Sequence, residues 1–307
     1  MRGWFSVKER PFTVFLLHSL LCVNLLFSVE RELQEREMVI VIPSYNNTEW
    51  HEKNITTAMT QNYQNFHILY INDCSTDGTG EKVEELAKAI RPDSFRVIDF
   101  DNDPSMDIPV MTEKFKETVN QERVFFTLVN NTCRHGALAN LYLAAHSCED
   151  NQILLTLDGD DWFPDASVLK KLNDVYASGE IWMTHGTLLS YPSGSIDWCE
   201  EVPLALIKSN EARKFKCPSH LRTYYAWIFK KIALEDLLYE GKFFPVTGDM
   251  AIMFPILEMA AERHAFIREP NYIYNEMNPL NDSKVNEELQ NAMDNFIRSK
   301  SPYQRIE

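Results

Sequence analysis

The stretch FHILYINDCSTDGTGEKVEELAKAI, residues 66–90, runs from an apolar segment through a polar, turn-rich loop into a segment with helical spacing. Its first part is rich in β-branched and aromatic residues, as a strand is. Ser75, Thr76 and Asp77 are capping candidates for the helix that follows. MVIVIPSYNN, residues 38–47, and the amphipathic stretch at about 50–61 repeat the scheme. Further strands are expected at 95–99, 124–129 and 153–157, with a helix over 136–147. Strands alternating with helices define an α/β fold whose central sheet is mostly parallel and flanked by helices. Ligands bind such sheets beyond the carboxyl ends of the strands. Ser44, Asp73 and Asp158 stand at those ends.

The remainder is less regular. A helix is expected at 165–177, a strand at 181–189, a long polar loop to 220, and helices through 238. VTGDMAIMFPILEMA, 246–260, and a charged C-terminal helix follow. Pro255 either kinks the helix after Gly248 or marks its first turn. No internal repeat or flexible linker is visible, so 38–307 reads as one domain behind a distinct segment, 1–37.

With 307 residues, 45% of them hydrophobic, the chain can bury a large core. Its formal charge of -15 excludes a nucleic-acid partner held through phosphates, which needs a basic footprint. The six cysteines show no CxxC pair and no zinc-ligand spacing. Arg2, Lys8 and Arg10 precede the apolar run at 12–29, which is expected to contact a membrane as an uncleaved signal anchor, with a cleaved signal peptide and a soluble or peripheral helix as the alternatives. Basic residues ahead of the run place the main domain across the membrane. Asn46, Asn54, Asn130 and Asn281 head glycosylation sequons.

LLTLDGDDWFPD, residues 154–165, gathers Asp158, Asp160 and Asp161 at the end of an apolar strand. Ionised carboxylates so close repel one another and are costly to desolvate, so a cation is expected among them. In an extended segment Asp158 and Asp160 point the same way. Their oxygens suit a hard divalent ion, Mn²⁺ or Mg²⁺, of the kind that offsets charge on a diphosphate. DFDNDP, 99–104, is not an EF-hand, since Pro104 and Val110 occupy the positions needing Gly and Glu.

In this order and spacing, VIVIPSYNN, ILYINDCSTDGT, RHGALAN and LLTLDGDDWFPD resemble the inverting family 2 glycosyltransferases of the GT-A fold. The resemblance extends more loosely through TGDMA and YIYNEMNPLNDS. It implies transfer of a hexosyl or N-acetylhexosaminyl group from a nucleotide-sugar to a hydroxyl of a glycan, lipid or protein acceptor. By the same resemblance Asp160 is the direct metal ligand, Asp158 faces the ribose or a metal-bound water, and Asp161 assists either. Pro43, Ser44 and Tyr45 are expected at the base and ribose. Asp73 is expected to accept from the N3–H of uracil, which favours a UDP-sugar. Arg134 is expected at the nucleotide or diphosphate, and Asn140 as a brace. Asp249 is the expected general base, with Glu258 and Glu262 as weaker candidates and a helix cap as the competing role for Asp249. Acceptor contacts are expected from 191–220, including Tyr191 and Trp198, from Trp182, and from 243–248. A nucleotide-sugar-binding scaffold without catalysis is the alternative function. A DxD phosphatase is excluded because DGDDW lacks the following Thr.

Overall fold

The computed structural model describes Met1 and residues 35–307 apart from 178, 197 and 198. The apolar run at 12–29 and Trp198 lie outside the described residues. Among the described residues no helix is long and apolar enough to cross a membrane.

Strand β1 (Met38–Ser44) is buried along its whole length, and its side chains divide by parity. Val39 and Val41 enter one core with Leu138, Leu141 and Phe254, while Met38, Ile40 and Ile42 enter a second with Ile55, Val83 and Leu169. A strand covered on both faces reads as a continuous apolar run, which is why MVIVI shows no polar alternation. Around it lie β2 (Phe66–Asn72), β3 (Phe95–Phe100), β4 (Phe126–Asn131), β5 (Ile153–Thr156), β6 (Met183–Tyr191) and β7 (Arg222–Tyr225). A small hairpin, β8 (Leu238–Tyr239) and β9 (Lys242–Phe243), stands apart, and β10 (His264–Asn275) returns to the sheet. The eight-stranded order is β10-β6-β7-β5-β1-β2-β4-β3. Only β7 runs against its neighbours, β5 and β6.

The principal helices are α1 (His51–Met59), α2 (Thr79–Ile90), α3 (Ile108–Val119), α4 (Ala137–Ser147), α5 (Val168–Tyr176), α6 (Gly248–Ala260) and α7 (Glu287–Ser299). Helices α1, α2 and α5 cover one face of the sheet, and α3, α4 and α6 the other. Pro255 sits inside α6, so the helix begins at Gly248 and continues past the proline. Three elements depart from the sequence expectation. Helix α3 carries Pro in its first turn, where the missing N–H costs nothing. Strand β7 has only four residues, and β10 is interrupted by register shifts at Pro270, which cannot donate to a ladder.

His185 on β6 is wholly buried, and neither ring nitrogen has a hydrogen-bond partner. Desolvation, then the nearby positive charges of His264 and Arg222, push its pKa down to about 3. An unfolded histidine takes its proton near ~6.5. The folded chain therefore binds fewer protons below that pH, and the stability contributed by neutral His185 is complete above about 6.5 and is lost as pH falls. Urea midpoints should decline from pH 7 to pH 5 with a contribution of up to ~1.4 kcal/mol per pH unit from this group, and His185→Phe should flatten that slope. An unchanged slope in the variant would contradict the assignment.

Candidate active site

The carboxyl ends of β1 and β5, the start of β7, and the start of α6 converge on a cavity of about 950 Å³. Because β7 is reversed, its first residue, Arg222, pairs with Thr156 at the carboxyl end of β5. The lining includes Pro43, Tyr45, Asn47, Arg134, Asp158, Asp160, Asp161, His220, Arg222, Asp249 and Asn278.

The three aspartates occupy a turn rather than an extended strand, because Asp161 N donates to Asp158 O at 3.0 Å. The expectation that Asp158 and Asp160 share an orientation by strand alternation is thereby corrected. Gly159 makes the turn fit: a Cβ there would come within 2.4 Å of the Ser44 hydroxyl. Asp161 is 1% exposed. Its oxygens accept from Tyr272 Oη at 2.6 Å and from Asn275 N at 2.7 Å, both on β10. Burial, then the charges of Asp160 and Asp158, push its carboxyl well above the usual carboxylate range. Asp160 is raised by loss of hydration against the lowering effect of the Asn278 amide, which donates to it at 2.7 Å. Below the turn, Asn54 Nδ2 donates to Asp158 O at 2.9 Å and Asp161 O at 2.7 Å. Asn54 is wholly buried, so this sequon asparagine is unavailable to a glycan in the folded protein.

At the nucleotide end of the resemblance, Pro43 and Tyr45 line the cavity, and the Arg134 guanidinium lies 3.7 Å over the Tyr45 ring. Ser44 and Asp73 are turned away from it. Ser44 is 4% exposed and its hydroxyl accepts from Asn47 Nδ2 at 3.0 Å. Asp73 is 2% exposed and accepts from Asn131 Nδ2 at 3.0 Å, His135 N at 3.1 Å and Gly136 N at 2.7 Å. Here Asp73 shapes the RHG loop, with Gly136 at φ +89°, a conformation that favours glycine. Asn140 braces the same loop through Asn131, at 2.9 Å.

Thr247 precedes α6 without a side-chain capping bond, and Asp249 lies within the helix's first turn. Asp249 accepts from Arg222 Nη2 at 2.6 Å. Glu258 points into the protein, where it pairs with Arg213 at 2.6 Å and accepts from Tyr303 N at 2.9 Å. Glu262 stands 3.6 Å from Arg305. Neither lines the cavity. Of the two expected acceptor loops, Phe244–Gly248 lines it, whereas 191–220 contributes His220. Tyr191 packs on Trp162 with Lys53 above it, and Trp182 packs on Trp227. Arg222 and His220 carry no motif in the sequence, whereas Tyr272 and Asn278 fall in YIYNEMNPLNDS, a segment that sequence reasoning marked without assigning either residue a role.

Comparison with known proteins follows the same lines. Residues 39–105 match the family model Glycosyl transferase family 2. The chain matches that family over this segment, from β1 to just beyond β3. Its GT-A fold is shared with S. aureus TarS 1–349 in complex with UDP, at 14% identity and TM-score 0.51, covering 79% of this chain and 61% of that one. A mannosyltransferase from Pyrobaculum calidifontis, in complex with GDP-Man and Mn²⁺, matches at 16% identity and TM-score 0.53 over 94% of this chain and 76% of its own. Glucosyl-3-phosphoglycerate synthase from Mycobacterium tuberculosis, in complex with Mn²⁺, UDP and glucosyl-3-phosphoglycerate, matches at 11% identity and TM-score 0.53 over 87% and 81%. No curated protein matches the chain by sequence.

Among the described residues no three His, Cys, Asp or Glu side chains form a complete metal cage. The cavity nevertheless suits Mg²⁺ or Mn²⁺, because such ions are commonly held by one or two carboxylates with the other ligands drawn from substrate and water. Asp158 and Asp160 face the cavity, whereas Asp161 is committed to β10. Since Asn54 holds both ends of this turn, Asn54→Ala should leave two carbonyls short of a donor and lower stability by about 1–3 kcal/mol in urea unfolding. Peptide mapping after expression in a glycosylating host should find Asn54 unmodified.

Proposed function

We propose that the protein is a metal-dependent, inverting glycosyltransferase that moves a sugar from a nucleotide-sugar to an acceptor hydroxyl. The observation that carries this reading is that the Asp158–Asp161 turn and Asp249 line one cavity. In an inverting transfer a carboxylate takes the acceptor proton while the acceptor oxygen bonds to the anomeric carbon and the bond to the diphosphate breaks. Asp249 serves as that base. Asp158 and Asp160 would hold the divalent cation, which when bound offsets negative charge on the diphosphate. Pro43, Tyr45 and Arg134 receive the nucleotide. The neighbours bound to UDP or GDP-Man, two of them with Mn²⁺, support a nucleotide-sugar donor and a divalent ion. Because Asp73 is engaged with its own loop, uracil and guanine donors are both tested.

Asp160→Asn keeps an oxygen for the Asn278 amide but removes the charge. It should melt close to wild type while losing the Mn²⁺-dependent thermal shift given by UDP or GDP, since a ligand bound only by the folded state raises apparent stability. A retained shift would remove Asp160 from the metal site.

Asp249→Asn can still accept from Arg222 but cannot take a proton. Release of nucleoside diphosphate from UDP-GlcNAc or GDP-mannose by transfer to water should fall by about 10²–10⁴-fold, with UDP–Mn²⁺ affinity and melting temperature held. Turnover near the wild-type rate would send the search for the base elsewhere.

A further inference from the structure

We propose that Arg222 is the positioning residue for Asp249 and that, through His220, it ties the acceptor-side carboxylate to the donor-side turn. The inference rests on the reading of Asp249 as the base. Arg222 is 6% exposed, and its guanidinium is held on three sides. Nε donates to Pro218 O at 2.9 Å, Nη1 meets His220 Nε2 at 2.7 Å, and Nη2 donates to Asp249 Oδ2 at 2.6 Å. A guanidinium is a rigid planar fork, so it cannot turn away from Asp249 without disturbing the other two contacts. His220 is fixed in its turn, stacked on Tyr272 with ring centroids 4.4 Å apart. Tyr272 is the residue that grips Asp161, and His220 Nε2 lies 3.9 Å from Asp158 Oδ2. A guanidinium N–H can only donate, so Nε2 presents the lone pair that receives Nη1.

One connected set of side chains thus runs from the carboxylate turn to the first turn of α6. Asp249 needs such a guide. It is 35% exposed at the side chain, and an exposed carboxylate otherwise samples several rotamers. A base that wanders from the attacking oxygen loses rate steeply, by about 10²-fold for a displacement of ~1 Å. A direct contact of Arg222 with the diphosphate is the competing role, and donor affinity separates the two.

The test uses the full chain with UDP-GlcNAc and GDP-mannose, scoring nucleoside diphosphate released to water, donor KM, UDP–Mn²⁺ affinity and melting temperature. Arg222→Gln should lower kcat by about 10²-fold with donor KM and affinity unchanged. Arg222→Lys, which keeps the charge but not the fork, should recover part of that loss. In the Asp249→Asn background either substitution should have no further effect, because a guide has nothing left to guide. Wild-type kcat in Arg222→Gln, or losses that multiply in the double variant, would overturn the inference, and so would a raised donor KM at unchanged kcat. Should Asp249→Asn keep its turnover, the base reading fails instead. Nitrogen-15 spectra of arginine side chains test the contact without turnover: Arg222 should show slowed guanidinium rotation that is lost in Asp249→Ala, and free rotation in wild type would refute the positioning role.

Discussion

The carboxylate of Asp161 has almost no contact with solvent and lies beside two other carboxylates on the same turn. An anion in that position is tolerated only where donors replace its hydration. Tyr272 Oη and Asn275 N supply them, and both come from β10, more than a hundred residues further along the chain. The folding of the C-terminal third is therefore coupled to the site built by the first half. Asn275 and Asn278 continue the same grip onto Asp160, and Asn278 also reaches Asn47 in the loop after β1. Asp158 and Asp160 are placed by a neighbour on the same turn whose own oxygens are committed to β10.

The first five strands were legible because each is an apolar run closed by turn residues, and local pattern decides such elements. Their parallel direction follows from βα alternation, whereas their order in the sheet does not, and the carboxylate turn was located from three aspartates in four positions. What the pattern missed has a common cause. RTYY and the β10 segment around Pro270 carry too few residues in regular alternation to announce a strand, and both acquire their form from neighbours already in place. Individual side-chain roles were harder still. Asp73 and Ser44 stand at strand ends, where ligands are met, yet each is turned into the protein by a local donor or by a glycine pressed against it. Sequence position places a residue near a site; hydrogen-bond partners decide which way it faces.

The acidic residues after Gly248 illustrate the same point. Asp249, Glu258 and Glu262 are chemically similar candidates in one helical stretch. Arg213 reaches both oxygens of Glu258 and extends Nη1 to Ile297 O, so that carboxylate fastens α7 and the chain end to α6. Leaving either partner alone in that buried position would cost several kcal/mol. Asp249, about two and a half turns away near the other end of the helix, meets a cation that itself borders the cavity.

The reversed direction of β7 places a constraint on how this chain can vary. Side chains in a strand alternate between faces, so a slip of one residue against β5 would carry Arg222 to the far side of the sheet. Thr223, now bonded to Tyr176 and Thr184 in the interior, would take its place at the cavity edge. A slip of two would keep the face but put Tyr224 opposite Thr156, where the arginine now stands. Insertions and deletions between β6 and β7 are consequently compatible with the site only when the intervening loop absorbs them whole, which makes the length of that loop free and its point of re-entry into the sheet fixed.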